Sequence, residues 1–505
     1  MLTPNIVANY FGQVWTAVMG LAFIPLYIRY LGIEAYGLVG LFSAMQVWLG
    51  LLDIGLTPAL GREMARFTGG GHSPQSIRIL LRSVEVTAGS LLLLIMAIGF
   101  IASDWVAHHW LQVRNIPINA VTQILSIMVL VVALRFFEGI YRSCMVGLQQ
   151  QVTLNVAGSV LATLRWAGSA FVVAWVSPTA QAFVVWQGAS SLIAIGVYAT
   201  LTYRLIPAGR SRAYFSWAAM RSLSGFASGM FVISILVLLL TQVDKLILSS
   251  LLQMSDYGYY MLASTVAGGL YTLISPISQA YYPHLCELRE MQDEKAMIEA
   301  FHKGAQLTSV IGGTAAIIVS VFSDELLRFW VQDSVVTQAV APLLSILALG
   351  NLLNSIMWMP YQAQLAHGWT SLSVRTNTVG VLIVIPAILL LTPKFGSIGA
   401  AWVWVGLNMG YFLISAYFLF QRIMPTEKWR WYIQDVLFPL VPATCVAIAL
   451  SKVLHFGPNR WAQLGILLFA SCLTVLVSGL CAQRVRSAAL QFLLPFFRIK
   501  TGPRP

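Results

Sequence analysis

Leu91-Leu92-Leu93-Leu94-Ile95-Met96-Ala97-Ile98-Gly99-Phe100-Ile101 contains no charged and no amide side chain. It is the centre of an apolar stretch of about 20 residues, and at about 1.5 Å rise per residue a helix of that length crosses roughly 30 Å of hydrocarbon. Residues 124–134 and 233–240 centre two further stretches of the same kind. Working outward with a window of about 19 residues, the sequence predicts helices near 6–28, 37–58, 80–102, 117–140, 152–175, 182–203, 225–251, 257–283, 305–330, 340–362, 372–391, 398–420, 436–454 and 463–482. The expected fold class is all-α, a polytopic transmembrane helical bundle of about 14 helices. Composition agrees: 58% of the 505 residues are hydrophobic and 10% charged, far from the roughly 25% charged residues of a soluble domain.

The net charge of +12 does not point to nucleic acid, because the basic residues are scattered singly between apolar runs. Membrane topology explains them. With the N-terminus in the cytoplasm, the inner loops and tail take 21 of the 30 lysines and arginines and the outer loops take six, which leaves Arg135, Arg165 and Lys245 within helices. That bias predicts both termini inside. No cleavable signal peptide is expected, since residues 1–9 lack a basic segment and the first apolar run is of full helix length.

Loops are short, and none is expected to house a catalytic domain. The stretch 284–304, with Glu287, Glu290, Asp293, Glu294, Lys295 and Glu299 at helical spacing, predicts a short amphipathic helix on the inner surface. Glu34-Ala35-Tyr36-Gly37 and Ser255-Asp256-Tyr257-Gly258 open the second and eighth helices, and their offset of six helices suggests a parallel internal duplication.

Enzymatic motifs are missing: there is no G-x-x-x-x-G-K-[ST], no H-E-x-x-H and no G-x-S-x-G. Cys144, Cys286, Cys445, Cys472 and Cys481 have no metal-binding spacing and are odd in number, so neither zinc nor a disulfide framework is expected. His284 and Glu287 lie at i, i+3, and without further ligands they read as structural. Ionisable residues inside spans carry more information, because a charge at mid-bilayer costs at least about 2.5–3.5 kcal/mol. Arg135, Glu138 and Arg142 share one face of the fourth helix, either as an internal ion pair or facing a wet cavity. Arg165 has no acid within a turn and must find a partner on another helix or face water. Asp244 and Lys245 are adjacent, hence about 100° apart, and are expected to look in different directions. Asp53 and Asp244 are candidate proton-accepting carboxylates, with a helix–helix hydrogen bond as the alternative.

Asn9-Tyr10, Phe23-Ile24-Pro25-Leu26-Tyr27-Ile28, Leu31-Gly32-Ile33-Glu34-Ala35-Tyr36-Gly37, Leu52-Asp53-Ile54-Gly55-Leu56 and Arg62-Glu63-Met64-Ala65 together resemble the polysaccharide flippases of the multidrug/oligosaccharidyl-lipid/polysaccharide exporter superfamily. Asp244-Lys245, Asp256-Tyr257-Gly258-Tyr259-Tyr260 and Phe395-Gly396-Ser397-Ile398-Gly399-Ala400-Ala401 extend the resemblance over about 400 residues. It implies two six-helix lobes, 1–210 and 211–425, around a central cavity, followed at 426–505 by two additional helices and a basic tail. It also implies alternating access in a bacterial inner membrane, with a polyprenyl-pyrophosphate-linked oligosaccharide as cargo for O-antigen or capsule assembly. Members need no cofactor, are coupled by proposal to a proton or sodium gradient, and hand their cargo on to a polysaccharide polymerase and chain-length regulator.

On that resemblance, Arg62, Arg135, Arg165 and Lys245 are the expected cations for the anionic headgroup, and Asp53, Glu138 and Asp244 the expected coupling carboxylates. Three alternatives stay open: a cation-coupled multidrug extruder of the same superfamily, a lipid II flippase, and a membrane polysaccharide polymerase or glycosyltransferase.

Overall fold

The computed structural model describes residues 2–49, 56–68, 70–208, 212–457, 459–488 and 490. The chain forms helices α1 (Leu2–Ala22), α2 (Ile24–Leu31), α3 (Ile33–Leu49), α4 (Leu56–Thr68), α5 (Pro74–Trp105), α6 (Ile118–Gly147), α7 (Gln151–Phe171), α8 (Ala180–Leu205), α9 (Trp217–Leu251) and α10 (Met254–Gly268). They are followed by α11 (Tyr271–Glu290), α12 (Glu294–Thr308), α13 (Thr314–Val321), α14 (Ser323–Val331), α15 (Ser334–Ile356), α16 (Trp358–Ala366), α17 (Thr370–Gly410), α18 (Ala416–Arg422), α19 (Lys428–Arg430), α20 (Phe438–Val453) and α21 (Arg460–Cys481). The only β pairing among the described residues is an isolated bridge between Gln112 and Gln253.

Eleven helical stretches among the described residues are long and apolar enough to cross a membrane. One of them, Ser371–Arg422, has 52 residues and is broken at Gly396, whose φ of 61° and ψ of −149° are open to glycine and closed to most L-residues. That stretch therefore holds two of the expected helices. α3 and α9 stand where the second and seventh were expected. Span starts are set by short polar side chains that take up orphan backbone N–H groups. Ser73 accepts from Ser76 N at 3.1 Å, Thr179 from Ala182 N at 3.2 Å, and Asp333 from Val335 N and Val336 N at 2.9 and 3.0 Å.

The expected amphipathic surface helix at 284–304 is not a separate element. α11 runs on to Glu290, a tight turn with Gln292 at φ 56° follows, and α12 starts at Glu294 with Asp293 as its cap. The charged residues are the ends of two long helices, because backbone hydrogen bonding continues beyond the apolar part of a span.

By contacts the chain divides into two units, 1–261 and 262–505. The first takes in α9 and the opening of α10, beyond the break expected at 210. Within it, Trp110 Nε1 donates to Ser249 Oγ at 3.0 Å and Ser216 N to Ser83 Oγ at 2.9 Å. The two look-alike motifs meet here. A Cβ placed on Gly258 would lie 2.5 Å from Ile33 O, and one on Gly37 2.4 Å from Met254 O. Only glycine permits α3 and α10 to cross that closely. Glu34, at the start of α3, pins the neighbouring loop by accepting from Arg114 N at 2.6 Å and Asn115 N at 3.0 Å.

Gly258→Val is accordingly expected to destabilise the protein by about 1–3 kcal/mol, as overpacking does. The check is the melting temperature of the purified protein in detergent; an unchanged value would mean the two helices part freely.

The second unit is built around Phe301, Phe322, Phe420 and Trp431, all fully buried. Asn351 ties its helices together, accepting from Tyr271 Oη at 3.0 Å and Trp404 Nε1 at 2.8 Å and donating to Ala267 O at 2.8 Å. All five cysteines are free.

Candidate functional site

α6 is long and apolar, so its three charged residues at 135, 138 and 142 stand out in a helix with no others. At this spacing they lie along one strip of the helix. α7 and α8 pack beside it, and together with α3 they supply the partners.

Glu138 is buried, and its carboxylate is the hub. Arg165 of α7 donates from Nη2 to Glu138 Oε2 at 2.7 Å, and Arg142 Nη1 lies 3.8 Å from Oε1. Arg165 thus finds an acid on a neighbouring helix. Arg135, one turn away on α6, takes no part in this pair. Its two terminal nitrogens donate to the amide oxygens of Gln46 on α3 and Gln187 on α8. Its guanidinium lies 5.2 Å from the centre of the Phe42 ring, within cation–π range. Gln187 is oriented in turn, its Nε2 donating to Ser169 Oγ at 3.0 Å. The Nε atoms of both Arg135 and Arg165 are buried with no hydrogen-bond partner among the described residues.

Three guanidiniums and one carboxylate therefore share this part of α6 and α7, a formal surplus of two positive charges. Arg135 is held by neutral amides, and no carboxylate pairs with it among the described residues. Amide oxygens fix a guanidinium in place without cancelling its charge, so the group keeps its attraction for an anion, and low dielectric strengthens that attraction.

The other sequence-predicted residues lie elsewhere. Lys245 and Asp244 do meet, contrary to expectation: Lys245 Nζ is 3.2 Å from Asp244 Oδ2. The long lysine stem swings round the helix and places its ammonium between Thr241 O, at 2.9 Å, and the carboxylate. Tyr260 of α10 also donates to Asp244 Oδ2 at 2.7 Å, so this pair is internally neutralised. Arg62 is exposed on α4, and Asp53 lies outside the described residues. His284 and Glu287 form an exposed contact of 3.5 Å.

Some buried charges were not singled out from sequence. Glu85 on α5 accepts from Tyr203 Oη at 2.7 Å, Tyr141 Oη at 2.9 Å and Arg82 at 3.1 Å. Glu63 on α4 meets Arg66 and His72, each at 2.8 Å. Both sit where apolar spans give way to basic loops, and the signal that could have found them is an acid on the inward stripe of an amphipathic helix. In the second unit His302 is fully buried against Asp435, with Glu427 at its other nitrogen.

An apolar cleft of about 570 Å³ lies between α3, α5, α6 and α9, lined among others by Leu41, Trp48, Leu94, Ile98, Trp105 and Leu246. Its walls are almost wholly carbon, which suits a hydrocarbon chain and cannot satisfy a polar one.

The family described as polysaccharide biosynthesis protein matches residues 2–289. A proposed O-antigen transporter of Shigella flexneri is 21% identical over 406 residues, covering 80% of this chain and 94% of the relative. Among solved structures, the lipid II flippase MurJ in an inward closed conformation superposes with a TM-score of 0.70 at 14% identity, over 98% of this chain and 99% of that one. An inward-facing multidrug resistance MATE family transporter of the MOP superfamily gives a TM-score of 0.64 at 14% identity, over 82% and 96%. These two likenesses establish the fold.

Proposed function

Because the chain belongs to the polysaccharide biosynthesis protein family, we propose that it is a flippase. Its cargo on this reading is a polyprenyl-pyrophosphate-linked oligosaccharide, moved from the cytoplasmic to the periplasmic leaflet of a bacterial inner membrane by alternating access. Both termini lie in the cytoplasm, an ion gradient supplies the energy, and a polysaccharide polymerase with its chain-length regulator uses the product.

The observation that supports this reading best is Arg135, held by amides and paired with no carboxylate among the described residues, beside the Arg165–Glu138 pair inside the spans of the first unit. A saccharide pyrophosphate cannot enter hydrocarbon alone, since each unpaired hydroxyl costs several kcal/mol and each charge more. A fixed surplus of positive charge offsets the penalty on the phosphates, and the cation export of a multidrug extruder would work against it. The apolar cleft offers the lipid chain a carbon-lined surface.

The test is to delete the gene and ask on which leaflet lipid-linked saccharide accumulates. The expected result is build-up on the cytoplasmic leaflet with loss of surface polysaccharide. An unchanged distribution between leaflets would remove the flippase reading.

A further inference from the structure

His302 of α12 is fully buried, and both of its ring nitrogens face carboxylates. Nδ1 meets Asp435 Oδ2, and Nε2 lies 2.9 Å from Glu427 Oε2. Asp435 is itself fully buried, in a π-helical stretch at Trp431–Leu437 that widens the start of the span continued by α20. Such widened turns recur at functional sites. Asp435 Oδ1 accepts from Gln306 Nε2 at 2.9 Å, with Arg484 Nη1 3.8 Å away. Arg484, just past α21, also donates from its backbone N to Gln306 Oε1 at 2.8 Å and from Nε to Glu299 at 2.9 Å. Arg430 lies 3.3 Å from Glu427. Lys303, the remaining charge on this part of α12, is exposed. The cluster thus joins α12, the approach to α20 and the end of α21 through one imidazole.

A count of hydrogens decides what this arrangement needs. A neutral imidazole has one N–H and one lone pair, and an ionised carboxylate can only accept. Two ionised carboxylates on one neutral ring would leave a lone pair facing a negative oxygen. The contacts are satisfied only if the trio holds one proton more, whether it is assigned to the ring or to the buried Asp435; it belongs to the cluster as a whole. Glu427 is a poor home for it. Burial pushes its carboxyl up, but His302 and Arg430 outweigh that and hold it below the usual carboxylate range.

From this geometry we infer that His302, Asp435 and Glu427 form a proton-binding site, separate from the Arg135 cluster, whose occupancy fastens the approach to α20 and the end of α21 to α12. With the proton bound, every nitrogen and oxygen in the trio is paired. When it leaves, one contact becomes a repulsion between a ring lone pair and a carboxylate oxygen, and the helix ends loosen. Since the fastened form holds one proton more than the loosened form, the equilibrium moves towards loosening by about tenfold for each unit rise in pH over the range where the proton is lost. Stability of the joint is greatest at low pH and falls as pH rises.

Hydrogen exchange on the full chain in detergent micelles tests this, reading peptides over 428–437 and 482–486 between pH 6 and 9. Exchange through local opening already quickens about tenfold per pH unit by base catalysis, so a linked proton makes the wild-type rate climb about 100-fold per unit across the loss. Glu427→Gln puts an amide N–H in front of Nε2, and Asp435→Asn puts one in front of Nδ1. Either lets a neutral ring be fully paired, and both variants are expected to return to the plain tenfold slope. A tenfold slope in the wild type, or parallel steep slopes in the wild type and both variants, would overturn the proposal and leave the trio a purely structural joint. None of these readings depends on transport, so the result stands apart from the flippase assignment.

Discussion

Arg135→Met is expected to lower delivery of lipid-linked saccharide to the outer leaflet by about 10- to 100-fold while leaving the amount of folded protein unchanged. The magnitude follows from losing a charge-assisted contact of about 1.5–3 kcal/mol, at about 1.4 kcal/mol for each factor of ten. Arg135 is the guanidinium of its cluster held by amides alone, so its charge is the one most available to a phosphate. Methionine keeps the volume and the contact with Phe42. Removing the charge also removes the cost of holding it among apolar helices, which offsets the bonds lost to Gln46 and Gln187. Arg135→Lys should fall between: the charge remains, but an ammonium cannot span Gln46 and Gln187 as the planar fork does.

Lys245→Met supplies the contrast. Its ammonium is already matched by Asp244, which keeps its bond from Tyr260, so transport should change several-fold less than with Arg135→Met. Export measured in a deletion strain carrying each variant, with protein quantified by fluorescence-detected gel filtration, separates the two. Equal losses in both would show that what matters is the presence of any cation in a span and not an unmatched one.

How far the sequence alone reaches is set by which force dominates at each position. Hydrocarbon thickness dictates spans of about 20 apolar residues, so runs such as 91–101 show themselves directly, and a glycine such as Gly396 marks a break because few other residues adopt its φ. Ends are less visible. α12 starts eleven residues before the apolar run at 305, because glutamate and lysine form helix about as well as leucine and a hydropathy window cannot see them. Pairings are less visible still. Spacing on α6 puts Arg135 nearest Glu138, yet the carboxylate turns to Arg165 on α7, because interhelical geometry and not sequence distance decides which guanidinium can reach it. Adjacent Asp244 and Lys245 were expected to diverge, and the flexible stem brings them together. His302 and Asp435 are 133 positions apart, and no local pattern connects them.

The largest effect on stability is expected from Glu138→Leu, at about 3–5 kcal/mol, the range found when one partner of a buried ion pair is removed. Glu138 and Arg165 expose 6% and 14% of their side chains, so neither can turn to water when the other is lost. Among the described residues the Nε of Arg165 is already without a partner, and deleting the carboxylate would leave the group with no acid among them, within a span where charge is costly. Arg142, half exposed and 3.8 Å from the same carboxylate, can move outward and should contribute little to the penalty. The double variant Glu138→Leu, Arg165→Leu removes both charges and fills the space with carbon, and most of the lost stability should return, as it does when a buried pair is replaced by packed apolar groups. Melting temperatures of the two single variants and the double variant in one detergent complete the cycle. If the double variant is as unstable as Glu138→Leu alone, the destabilisation comes from the loss of Glu138 itself, through packing or Arg142, and the buried pair cannot be the element that joins α6 to α7.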